Sequence, residues 1–119
     1  MHQWKEEVNE LAGALPTKEE SKWVIHGDYR AQNLRFDRDG HVSAILDLDT
    51  IRPANRLFDL AYALVFFAAV YQNKPLTPHQ KSVFLSTYET VCPLSTTERR
   101  LLTSHLKLAF FRGMTLWLN

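Results

Sequence analysis

The chain has 119 residues, 45% of them hydrophobic and 23% charged, with a formal net charge of +1. Those figures fit one globular domain over residues 1–119 with a core of its own, and exclude a whole-molecule field that would draw nucleic acid or an anionic membrane. A single cysteine, Cys92, excludes a disulfide framework and suits a reducing, cytoplasmic setting, and the four scattered glycines exclude a Gly-rich phosphate loop.

Met1–Glu7 lacks the basic start and apolar stretch of a signal peptide. Trp4, Val8, Leu11, Ala12 and Leu15 recur at helical spacing and predict an amphipathic helix over 3–14, stopped near Gly13 and Pro16. Lys22–Ile25 reads as a short strand. Leu34–Phe36 and Val42–Leu46 predict a hairpin closed by Asp37-Arg38-Asp39-Gly40, because glycine accepts the positive φ of such a turn. Leu57–Gln72 is apolar on nearly every side, which predicts a helix buried on several faces. Its longest apolar run, Leu60–Tyr71, is shorter than the ~20 residues a membrane span needs.

Thr77-Pro78-His79-Gln80 predicts a capping box with proline at the first helical position. The helix it opens would turn Val83, Phe84, Tyr88 and Val91 inward. Ser95-Thr96-Thr97-Glu98 is a second capping box, opening a helix to about Leu118. Its inward candidates include Leu102, Leu106, Ala109, Phe110 and Leu116. The histidines His2, His41, His79 and His105 have no common ligand spacing and read as surface or cap residues. Cys92 reads as an inert thiol. The fold class is α+β, mostly helical.

The chemistry concentrates between His26 and Asp49. A loop after the first strand reads His26-Gly27-Asp28-Tyr29-Arg30-Ala31-Gln32-Asn33, and the second hairpin strand leads into Asp47-Leu48-Asp49. Phosphoryl transfer needs these side-chain types. A carboxylate orients the attacking hydroxyl and accepts its proton. Asp and Asn oxygens suit magnesium. A cation offsets charge on the transferred group. Asp28 fits the base, Asn33 and Asp47 the ligands, and Arg30 the cation.

The protein-kinase form of such a loop is H-R-D-x-x-x-x-N, followed later by D-F-G. Here Gly27 replaces the Arg, and Asp47-Leu48-Asp49 stands where D-F-G would. Downstream lies Asp59-Leu60-Ala61, and no Ala-Pro-Glu stretch follows. In these features the chain resembles the aminoglycoside phosphotransferase and choline kinase family, tightly over residues 24–64 and more loosely beyond. That family includes homoserine kinase-like and methylthioribose kinase-like members. The resemblance implies the C-terminal lobe of the protein-kinase-like fold, with the hairpin carrying catalytic and metal residues. It also implies an ATP- and Mg2+-dependent transfer to a small-molecule hydroxyl. Asp28 would be the base, and Asn33 and Asp47 would hold magnesium and, through it, the nucleotide. His26 would brace the loop, and Arg30 would stand where protein kinases carry a phosphate-contacting lysine. Asp49 would support the metal, and Asp59 would pin the loop backbone. The compact helical tail leans toward a homoserine kinase-like acceptor.

Structural roles remain open for the same residues. Asp28 and Asn33 suit turns, Arg30 suits a solvated surface, and Asp49 suits a strand end. Residues before Trp23 hold no Val-Ala-Ile-Lys-like strand and no Gly-rich turn. The chain is therefore expected to be the larger lobe alone, a fragment inactive by itself and prone to self-association through the uncovered lobe face. Two other functions stay in view. One is a non-catalytic scaffold that keeps the lobe. The other is a metal-dependent hydrolase built on Asp28, Asp47 and Asp49.

Overall fold

The computed structural model describes residues 23–69 and 74–117, the last four through their backbone, together with positions 6, 7, 9, 10 and 13. The helix predicted over 3–14 thus lies for the most part outside the described residues. The described chain runs β1 (Trp23–Ile25), a single 3-10 turn (Ala31–Asn33), β2 (Leu34–Phe36) and β3 (Val42–Ile45). Next come β4 (Arg52–Ala54), α1 (Leu57–Phe66), α2 (Pro78–Val91) and α3 (Thr96–Trp117). The α+β class holds. Among the described residues no helix is long and apolar enough to cross a membrane.

Two small antiparallel sheets frame the loop after β1. In one, β2 pairs with β3, Leu34 opposite Ile45 and Phe36 opposite Val42. This is the predicted hairpin, and Gly40 turns it at φ +85°. In the other, β1 pairs with β4, Val24 opposite Pro53. The pattern did not suggest β4, because proline removes a ladder donor. A two-stranded ribbon tolerates it at an edge.

Helix α1 is the centre of the molecule. Leu57, Leu60, Ala61, Leu64 and Val65 join Leu94, Leu102 and Ala109 in one buried cluster. Full burial of each large aliphatic side chain contributes about 1.5–3 kcal/mol. Helix α3 lies close against α1 because Gly113 faces the Phe66 ring, and a Cβ at that position would overlap it. The predicted all-round burial of α1 follows from neighbours on more than one side; the helix spans Leu57–Phe66, and positions 70–72 of the predicted stretch lie outside the described residues.

Both capping boxes form. Thr77 Oγ1 accepts from Gln80 N–H at 3.2 Å, while Gln80 Oε1 accepts from Thr77 N–H at 2.9 Å. Ser95 and Glu98 exchange the same pair of bonds at α3. The inner faces need correction. Val83 and Val91 are exposed on α2, which has no buried residue and rests on the core through Phe84, Leu85 and Tyr88. Phe110 is exposed on α3 while Leu108 is buried, and the Leu116 side chain falls outside the description. His105 is no surface residue. It is 2% exposed, packs edge-on against Phe58, and donates from Nδ1 to Leu101 O at 2.9 Å. Burial holds its pKa below the ordinary imidazole value.

Arg56, just before α1, ties four elements together. Its Nε and Nη2 donate to the two Glu98 carboxylate oxygens at 2.8 Å each. Nη2 also reaches Pro93 O at 2.8 Å and Nη1 reaches Cys92 O at 3.3 Å, just past the end of α2. The guanidinium lies 4.6 Å from the centroid of the Trp23 ring on β1. A planar fork suits this double demand better than an ammonium would.

Candidate functional site

The loop from His26 to Asn33 is held from three directions. From α1, the Asp59 carboxylate accepts the His26 N–H at 2.6 Å and the Gly27 N–H at 2.8 Å. From the hairpin, Leu46 O accepts from His26 Nε2 at 2.8 Å, and Leu46 N–H donates to Asn33 O at 2.8 Å. From the turn before β4, the Thr50 hydroxyl donates to His26 O at 2.7 Å. At the far end of the loop, Ala31 N–H donates to Phe67 O at 2.9 Å.

Two local features explain the residue choices. His26 contacts backbone through both ring nitrogens. Nε2 faces a carbonyl and so must donate, which leaves Nδ1 to accept the Asp28 N–H at 3.2 Å. The ring is thus fixed as one neutral tautomer. Gly27 has φ +87°, and a Cβ there would come within 2.6 Å of the Arg52 guanidinium and 2.7 Å of Thr50 O. Both backbone and space demand glycine where the protein-kinase pattern carries arginine.

Asp28, Arg30 and Asn33 meet in one cluster. Arg30 Nη2 donates to Asp28 Oδ2 at 2.9 Å, and Arg30 Nε lies 2.9 Å from Oδ1 in an ion pair. Asn33 is buried, and its Nδ2 donates to Asp28 O at 2.8 Å and to Oδ2 at 3.2 Å. Tyr62, from α1, donates to Asp28 Oδ1 at 2.6 Å. Burial, then the bond to Asp28, raises the Tyr62 phenol above its ordinary pKa, so it stays a donor. Nothing in the sequence marks Tyr62 beyond its position three residues after Asp59, on the same helix face.

Asp47 follows Leu46, the residue bonded to both His26 and Asn33. It is exposed and adopts φ +57°, a left-handed conformation that aspartate tolerates. With Asn33 Nδ2 bound to Asp28, the remaining amide oxygen and the Asp47 carboxylate are hard oxygen donors on neighbouring backbone. That donor chemistry fits magnesium. Asp49 is exposed in the following turn, and among the described residues no hydrogen bond joins it to the cluster. Asp28, Asp47 and Asp49 do not gather as the hydrolase alternative requires. Among the described residues the compact carboxylate–histidine group is Asp37, Asp39 and His41, all exposed on the hairpin turn.

An apolar groove of about 440 Å³ opens beside the loop, lined by Tyr29, Leu60, Ala63, Phe84, Thr87 and Tyr88 with Asp59 at its wall. It uses the side of α1 that carries Leu60 and Ala63, whereas Asp28 is met by Tyr62.

A stretch of 58 residues is 38% identical to acyl-CoA dehydrogenase family member 11 of Gallus gallus. The match takes in 48% of this chain and 8% of that protein, so the chain spans a small part of that relative. No solved structure matches. The family model described as "Phosphotransferase enzyme family" matches residues 2–94, which include both sheets, the whole loop cluster, α1 and α2 and leave out α3. By that match the chain belongs to the phosphotransferase enzyme family.

Proposed function

We propose that the chain forms the acceptor and metal side of an ATP- and magnesium-dependent phosphotransferase acting on a small-molecule hydroxyl. One observation carries the reading. Asp28, Arg30 and Asn33 converge on a loop fixed by Asp59 and Leu46, with Asp47 one residue beyond the anchor. Asp28 takes the proton of the attacking hydroxyl. Arg30 offsets charge on the transferred phosphoryl oxygens. Asn33 and Asp47 would hold magnesium, with Asp49 supporting from the turn. Bound there, the ion would offset negative charge on the nucleotide phosphates. His26 and Asp59 hold the loop and take no part in proton transfer. A homoserine kinase-like metabolic alcohol is the acceptor class we favour.

Neither a Val-Ala-Ile-Lys-like segment nor a Gly-rich phosphate-binding motif occurs in the 119-residue sequence. The chain alone is therefore expected to bind magnesium-ATP more weakly than the micromolar range. A calorimetric titration finding micromolar binding would overturn this. The whole reading is tested on the chain joined to a nucleotide-gripping lobe. Phosphate-ester formation from ATP and a panel of small alcohols is followed by 31P NMR. Magnesium-dependent ester signals are expected, and their absence across the panel would sink the reading.

A second reading, an interaction surface, has its own support. Phe36, Val42, Ile45, Leu48 and Ile51 are each about half exposed along the hairpin and the turn after it. Apolar surface of this kind marks a covered face in a complete assembly. We expect the isolated chain to self-associate through it. Light scattering should report a mass that rises with concentration and falls when Phe36 and Ile45 are replaced by serine. A concentration-independent monomer mass is the contrary result.

A further inference from the structure

We propose that Tyr62 is a positioning residue for Asp28, and that the acceptor hydroxyl meets the carboxylate on the side now taken by Arg30. This rests on the phosphotransfer reading above and names how its base is aimed. A carboxylate offers about four acceptor positions. Here three hydrogen-bond donors and one ion-paired nitrogen, from three side chains, crowd it. Tyr62 Oη and Arg30 Nε face Oδ1, while Arg30 Nη2 and Asn33 Nδ2 face Oδ2. An incoming hydroxyl needs one of those positions, so one donor must yield.

The donors are not equivalent. Tyr62 makes the shortest bond, 2.6 Å, from the middle of the central helix. Its ring packs against Phe66 at 5.1 Å between centroids, and Phe66 is in turn pressed by Gly113 of α3. Asn33 is 8% exposed and bound twice to Asp28. The Arg30 side chain is 31% exposed, and its Nε is buried at ion-pair distance without a well-aligned hydrogen bond. Arg30 is the donor that can leave, and a phosphoryl group gives it somewhere to go. Tyr62 stays, holds Oδ1, and keeps the vacated side turned outward. Asp59 and Tyr62 thus make α1 a double template: one side chain fixes the loop backbone and the other fixes the reacting carboxylate.

The test reads the Asp28 side chain directly. Three-bond couplings from backbone N and C′ to Asp28 Cγ should report a single χ1 rotamer in the wild-type chain. In Tyr62→Phe, which keeps the packed ring, they should average over rotamers. In Arg30→Gln, with Tyr62 in place, the single rotamer should persist. A locked Asp28 in Tyr62→Phe, or an averaged one in Arg30→Gln, overturns the proposal. If Tyr62→Phe does not fold, the wild-type chain decides. A slowly exchanging Tyr62 hydroxyl proton with a nuclear Overhauser contact to Asp28 Hβ is expected, and its absence is the negative result. In the lobe-joined kinase, Tyr62→Phe should lower kcat about 10-fold with acceptor KM within about twofold. An unchanged kcat overturns the positioning role. If no variant and no wild type transfers phosphate, the phosphotransfer reading falls, and the couplings alone decide whether Tyr62 holds Asp28.

Discussion

Arg56→Ala is expected to lower the unfolding free energy by about 3–5 kcal/mol, the cost of breaking a buried ion pair from one side. The Arg56 side chain is 9% exposed and that of Glu98 is 23% exposed. Alanine would leave Glu98 with only the Ser95 N–H, and would strip the donors from Cys92 O and Pro93 O. The contact with the Trp23 ring goes too, so β1 loses its tie to the α2–α3 corner. A domain of this size commonly has about 5–15 kcal/mol in all. Urea denaturation at pH 7 measures the loss. Arg56→Lys should recover only part, since an ammonium cannot fork. An alanine variant within about 1 kcal/mol of wild type would mean that the corner is held elsewhere.

The same pair sets an acid limit. The hydrogen bonds from Arg56, opposed by burial and helped by Ser95, pull the Glu98 carboxyl from 4.5 to about 2. A depressed carboxyl stabilises the fold fully above its unfolded value, and that stability is lost as pH falls through the folded one. Stability should therefore decline between about pH 4.5 and pH 2, with Glu98 contributing about 2–3 kcal/mol of the change. Glu98→Gln should be weaker at pH 7 and flatter below pH 4.5. An unchanged acid slope in that variant would remove Glu98 as its source.

The capping boxes and the hairpin turn were legible in the sequence because each is decided by a few adjacent residues. Thr77 with Gln80, Ser95 with Glu98, and Asp39-Gly40 need no distant partner. The loop cluster was legible for a different reason. The chemistry proposed for it uses particular side chains at short range, and Asp28, Arg30 and Asn33 stand within six consecutive residues. What escaped depends on long-range contacts. Tyr62 reads as one more residue of an apolar helix until α1 is laid beside the loop. Nothing adjacent in the sequence marks Arg56 until the α2–α3 corner folds back on it. His105 carries no mark in the sequence that separates a buried imidazole from a solvated one. Val83, Val91 and Phe110 failed as core residues because helical spacing gives a period and does not say which neighbour covers the stripe. β4 was hidden by its own proline, since pattern reading discounts a strand where a ladder donor is missing.

Asp28→Asn should abolish phosphoryl transfer in the lobe-joined kinase, a fall of roughly 10²–10⁴-fold or more in kcat, with nucleotide affinity changed by no more than about threefold. The amide keeps the shape of the carboxylate and can still accept from Tyr62 Oη through one oxygen. Its nitrogen, however, turns a donor toward Arg30 and Asn33, which are donors themselves. Asn33 would remain anchored through Asp28 O and the Leu46 N–H, so the oxygen ligands proposed for magnesium keep their backbone frame. Arg30 would lose its ion pair and face solvent. At that exposure the pair contributes no more than about 1 kcal/mol, so the melting temperature should fall by no more than a few degrees, roughly 3–6 °C. A stable, nucleotide-binding, non-transferring variant is the expected combination, and only loss of the base accounts for all three parts. Arg30→Ala supplies the contrast. It leaves the base in place and frees one side of it, so it should retain measurable transfer and weaken phosphate contacts. Transfer by Asp28→Asn at the wild-type rate would remove Asp28 from the chemistry and leave the cluster a structural brace.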